Sequence, residues 1–237
     1  HNGIPLDRRS NTFVDLMRVQ GYRTALIGKS HLMNMTSAEP FYGKPVPSGE
    51  KTPVPKAFEL AVPVDHEDPH YDQEHPKKWH EESNFEVKLP FFGFEHVDLQ
   101  TGHGDGVGGD YLRWLEQRFP NSKSLKGSKN ALPHDYTAPQ AWRTAIPEEL
   151  YPTSYITAKS LEYLEKQSIN ERDKPLFMMV SYPDPHHPFT PPGKYWDMYK
   201  PENMPVPESF YTNTTPPPNV AWAHQRREDG TQIIKSQ

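Results

Sequence analysis

The sequence predicts an α/β fold with a mostly parallel sheet flanked by helices. Three observations carry that prediction. Residues 10–27 read as a helix, a glycine turn and a buried strand; residues 153–181 repeat the same order; and 237 residues are about the size of one large α/β domain. In the first unit, Asn11 or Thr12 can cap a helix, and Thr12 with Asp15 three residues on has the capping-box spacing. Phe13, Leu16 and Met17 fall on one apolar stripe, and Gly21 is the expected residue after the helix end. Tyr22 to Ile27 is β-compatible, mostly uncharged, and stops at Gly28.

In the second unit, Thr153 or Ser154 can cap a helix reaching about Gln167, with Ala158, Leu161 and Leu164 expected inward and Glu162 paired with Lys166 outside. Leu176 to Ser181 is a continuous apolar run of the kind found in strands covered on both faces. Between the units, residues 36–150 are expected to form a loop-rich surface insertion, because Pro45, Pro47, Pro53, Pro55, Pro63, Pro69 and Pro76 punctuate a polar stretch. Within it, Asp110 is expected to cap a short helix with Leu112, Leu115 and Phe119 inward, and Phe91-Phe92-Gly93-Phe94 reads as core. Residues 201–237 read as a proline-rich, irregular tail.

Composition excludes several function classes. Lys and Arg total 26 against 31 Asp and Glu, a net charge of −5, so the basic footprint of a nucleic-acid binder is absent. No apolar run reaches the ~18 residues of a membrane span, and no cysteine is present for a disulfide, a thiolate metal site or a thiol nucleophile. Neither nucleic acid nor membrane is therefore expected as a partner. The opening His1-Asn2-Gly3-Ile4-Pro5 has no initiator Met and no signal-peptide pattern, so the chain is expected to begin mid-protein. A mean hydropathy of −0.88 and only 34% hydrophobic residues fit a loop-heavy chain or one lacking part of its core.

Chemistry is expected where strands end, since ligands of open α/β sheets sit beyond the carboxyl ends. Lys29 and His31, two apart in an extended chain, point to one side and can together hold a tetrahedral oxyanion; an exposed Lys and a His bonded to a loop carbonyl is the plainer alternative. Gly28-Lys29-Ser30 also looks like the end of a phosphate-binding P-loop. The register fails, because the first glycine of that motif would fall on Arg23 and a strand fills the loop positions. Past the second strand, Pro183-Asp184-Pro185-His186-His187-Pro188 holds histidines on a stiff backbone, where one fits a general acid and a surface turn is the alternative. Asp65-His66-Glu67-Asp68-Pro69-His70, with His75 and His80, is rich in metal-ligand types but reads as a polar loop. The glycine loop Gly102 to Gly109 is able to place His103 or Asp105 over a substrate.

These residues carry a family resemblance. Gly21-Tyr22-Arg23-Thr24-Ala25-Leu26-Ile27-Gly28-Lys29-Ser30-His31-Leu32 resembles the second signature of the sulfatase family, arylsulfatase-like proteins within the alkaline phosphatase superfamily. Phe92-Gly93-Phe94-Glu95-His96-Val97 is similar to its Gly-Phe-Asp segment, and Pro185-His186-His187-Pro188-Phe189 to its Pro-His-x-Pro block. The resemblance implies part of an alkaline-phosphatase-like fold and hydrolysis of a small-molecule or glycan sulfate ester. It implies that Lys29 binds sulfate oxygens, that His31 contacts the nucleophile, and that His186 binds sulfate and protonates the leaving alcohol; His187 is the less fitting register. It further implies a formylglycine nucleophile and a divalent metal, Ca²⁺ being the expected ion. The Cys/Ser-x-Pro/Ala-x-Arg motif and the aspartate segments that supply them are not in this sequence, so an internal fragment, inactive alone, is expected. Phosphonate or phosphodiester hydrolysis, and non-catalytic binding of a sulfated glycan, are the alternatives the same cradle allows.

Overall fold

The computed structural model describes residues 5, 6, 8, 10–33, 71–82, 84–170 and 173–209. The first helix, α1 (Phe13–Val19), begins where the capping box places it: the Asp15 amide donates to Thr12 Oγ1 at 3.1 Å and the Thr12 amide donates to Asp15 Oδ2 at 2.9 Å. Strand β1 (Arg23–Lys29) follows and is buried along its centre. It runs through Gly28 rather than stopping there. Beyond it lie α2 (Pro76–Glu81), β2 (His96–Gln100), α3 (Asp110–Arg118), α4 (Pro152–Asn170) and β3 (Leu176–Ser181).

The sheet has the order β2-β1-β3, with both pairings parallel. Lys29 lies opposite Gln100 and Gly28 opposite Ser181, so all three strands end at the same edge. Side-chain alternation along β1 divides the core. Leu26 packs with Val14, Trp79, Phe91, Phe92, Phe94 and Leu99 on one face; Ala25 and Ile27 pack with Tyr111, Leu115, Tyr155 and Ile156 on the other. The α/β prediction with a parallel sheet holds, and Phe91 to Phe94 are core.

Five sequence expectations need correction. β2 lies inside the stretch expected to be a surface insertion, yet it pairs with β1 over five residues and its Leu99 is buried. The prolines that suggested an insertion cluster before residue 77; from Phe91 onward the chain carries enough apolar side chains to enter the core. In α1, Val14 is the buried residue, while Phe13 and Leu16 are exposed. In α4, Tyr155, Ile156, Ser160 and Tyr163 face inward and Ala158, Leu161 and Leu164 outward. The tyrosines take the inner face because the hydroxyl of Tyr155 reaches the Asp98 carboxylate at 2.8 Å and the Tyr163 ring stacks on His96. β3 is only half-buried, for it forms one edge of the described sheet. Finally, Asp110 bonds the Leu99 amide at 2.7 Å instead of capping its own helix. Residues 36–70 of the expected insertion and 210–237 of the expected tail, including His66 and His70, lie outside the described residues.

Candidate active site

Three loops leave the carboxyl-end edge of the sheet and carry Lys29 and His31, His103, and His186 respectively. The first loop is anchored from below by Glu74. This fully buried carboxylate accepts bonds from the Ser30 hydroxyl, from the His31 amide at 2.8 Å and from the Met33 amide at 2.5 Å. Burial raises its pKa, while those bonds and the Lys29 charge act in the opposite direction. Held in this way, His31 adopts a left-handed φ of 65°, a conformation that a non-glycine residue keeps only when its surroundings impose it.

Gly28 sets the distance between β1 and β3. A Cβ there would stand 1.9 Å from the Ser181 carbonyl oxygen, and its φ is 116°, so only glycine lets the two backbones approach. The close approach brings the loop after β3 beside the loop after β1. The backbone of Phe189 then pairs across to residues 140–142, its amide donating to Gln140 at 2.8 Å and its carbonyl accepting from Trp142 at 3.2 Å. Both peptide bonds Asp184–Pro185 and His187–Pro188 are cis.

Side chains of this cluster stand near enough to feel one another's charge. His31 feels both Lys29 and His186, and His103 feels Lys29, His186, His187 and His31. Burial lowers the Lys29 pKa, with Glu74 opposing. Burial and then these neighbours lower that of His31, and they press that of His103 down to about 4. Lys29 makes no hydrogen bond or ion pair with a described residue, and Glu74, the one carboxylate beside it, is already saturated by amide and hydroxyl donors. A half-buried ammonium among imidazoles has the chemistry to hold a small anion. The geometry thus brings together the predicted Lys29, His31 and His186.

Two residues of the site escaped the sequence reading. Glu74 carried no local signal. His103 did, as a histidine in a glycine loop, but only the fold shows it stacked on His186 with ring centroids 3.6 Å apart. Asp105, its companion in that reading, is buried instead and accepts from the Gly127 amide, the Trp142 indole and the Thr144 hydroxyl, so its role is to hold the loop. His75 caps α2 by accepting from the Lys77 amide at 3.2 Å. A cavity of about 220 Å³ lined by Arg8, Asp15, Met33, Gln73 and Lys88 takes in none of the four cluster residues. Among the described residues, no group of three or more His, Asp or Glu is arranged to hold a metal ion.

A family model described as Sulfatase matches residues 1–215. This chain belongs to the sulfatase family. It is 31% identical over 98 residues to an arylsulfatase of Clostridium perfringens, covering 41% of this chain and 19% of that protein. It is 37% identical over 121 residues to the multifunctional alkaline phosphatase superfamily protein PehA of Trinickia caryophylli, covering 48% and 21%. It is 28% identical over 151 residues to the iduronate 2-sulfatase of Mus musculus, covering 59% and 26%. The chain therefore spans about a fifth to a quarter of the length of these curated relatives. Its mixed architecture with a parallel sheet agrees with the alkaline-phosphatase-like fold of the sulfatase family.

Proposed function

We propose that these residues supply the oxyanion-binding and proton-donating part of a sulfuric ester hydrolase. The observation that carries this reading is that Lys29, His31 and His186 stand at one edge of the sheet, near enough for His31 to feel the charge of both others. In the departing state of a sulfate monoester, negative charge grows on the non-bridging and leaving oxygens. Lys29 would hold the former as a fixed cation. His186 would bind the sulfate and deliver a proton to the latter. His31 stands beside both, where a nucleophile's hydroxyl would be reached.

The nucleophile and the metal belong to the proposal in a different way. A formylglycine and a divalent ion, Ca²⁺ in this reading, would be contributed by segments outside these 237 residues, and the ion would supply charge stabilisation when bound. The 237 residues alone are accordingly expected to turn over no ester. In the intact protein that carries them, Lys29→Ala is expected to lower kcat/KM for an aryl sulfate by about 10²–10³-fold. Wild-type turnover by that variant would overturn the assignment.

The likeness to a multifunctional alkaline phosphatase superfamily protein favours a second reading, hydrolysis of phosphonate or phosphate diesters on the same cradle. Rates of the intact protein on matched aryl sulfate and aryl phosphonate esters separate the two. Turnover of neither, together with measurable binding of a sulfated glycan, would mark a non-catalytic relative.

A further inference from the structure

The rings of His103 and His186 lie face to face, 3.6 Å between centroids and 8° from parallel. Neither loop is free to drift. Gly104 has a φ of 54°, and a Cβ there would stand 2.7 Å from the Pro188 carbonyl oxygen and 2.9 Å from Thr190 Oγ1, so glycine lets the two loops press together. Asp105 ties the His103 loop to Gly127, Trp142 and Thr144, and Thr190 shares a 2.9 Å hydrogen bond with the Tyr151 hydroxyl beneath the His186 loop. At His186, Nδ1 lies 2.6 Å from the His187 carbonyl oxygen. A carbonyl only accepts, so Nδ1 carries a hydrogen and Nε2 is left to exchange a proton. One bond still allows the ring to swing about its axis. The stacked partner removes that freedom.

We propose that His103 is a positioning residue for His186, clamping its imidazole by stacking in the plane from which Nε2 hands a proton to the departing alcohol oxygen. The inference rests on the reading of His186 as proton donor. Stacking at this distance also disfavours a charged His103, since a cationic neighbour repels it. The charged or titratable groups that act on His103 are Lys29 and His31 from the end of β1 and the loop that follows it, and His186 and His187 from the loop after β3. Burial and the surrounding cations hold His103 neutral down to about pH 4. A neutral His103 thus offers the face of its ring to the His186 imidazole. The Nε2 of His103 is buried without a hydrogen-bond partner, as befits a ring used for its face rather than its edge.

The test uses the intact protein with an aryl sulfate and an alkyl sulfate, whose poorer leaving group depends more on proton delivery. His103→Ala is expected to lower kcat on the alkyl ester by about 10–100-fold with KM within about twofold, and to spare the aryl ester more. His103→Phe keeps a flat ring and is expected to restore most of kcat without removing an ionisation from the pH profile. His186→Ala is the control. If it leaves the alkyl ester unaffected, the proton-donor reading fails. If it is impaired while His103→Ala turns over like wild type, the positioning inference alone is overturned. Rescue by His103→Gln but not by His103→Phe, or loss of a pH-profile limb in His103→Phe, would also overturn it, because the edge or charge of the ring would then be what matters. Should His103→Ala not fold, His103→Phe against His103→Gln still decides.

Discussion

Asp110 sits at the start of α3 beside a second carboxylate, Asp98, and accepts the Leu99 amide. Burial first, and then Asp98, push its pKa from the ordinary 3.8 up to about 7. A carboxyl raised in this way binds its proton more tightly in the folded chain than in the unfolded one. Its support for the fold is complete below the unfolded value of 3.8 and is lost as pH rises through about 7. Asp110→Asn keeps an acceptor for Leu99 and removes the titration. Urea denaturation at several pH values between about 4 and 8 is expected to show the stability difference between variant and wild type moving in the variant's favour as pH rises. A difference independent of pH would refute the account. Glu74 shows the same scale of control at the site: a single carboxylate holds two amides and a hydroxyl, and the left-handed turn at His31 follows.

At the scale of elements, the parallel pairing of β1 and β3 depends on Gly28. Gly28→Ala forces a Cβ into the Ser181 carbonyl at a φ of 116° and is expected to cost about 3 kcal/mol or more, read as a lowered urea midpoint. A variant of unchanged midpoint would contradict the close approach. Helix α1 and strand β1 were legible because their signals are local: the capping box lies within four residues, and the strand is a β-compatible, mostly uncharged run after a glycine. The inner face of α4 was not legible. Leucine periodicity pointed to Leu161 and Leu164, but which stripe turns inward depends on partners elsewhere in the chain, here Asp98 and His96, which give Tyr155 and Tyr163 a buried place. The expected double-sided burial of β3 failed for a related reason, since coverage of a strand is decided by its neighbours and not by its own composition.

For the whole molecule, the site is a product of topology. Parallel strands ending at one edge send three loops to one place, and Lys29, His31, His103 and His186 stand at the ends of those strands or in those loops. If Lys29 and His186 act on one bound oxyanion, their effects are coupled. In the intact protein, Lys29→Ala combined with His186→Ala is expected to lower kcat/KM by less than the product of the two single effects. Fully multiplicative losses would place them at separate sites.

Residue order alone specified the capping box of α1, the identity of β1 and β3, and the presence of Lys29, His31 and His186 at or just past strand ends, all of which depend on neighbours a few positions away. It did not specify that Glu74 would reach Met33 across 41 positions, that β2 would join the sheet, or that His103 would lie on His186. Those contacts depend on the path the chain takes between its elements, and that path is settled by packing the two faces of the sheet at once.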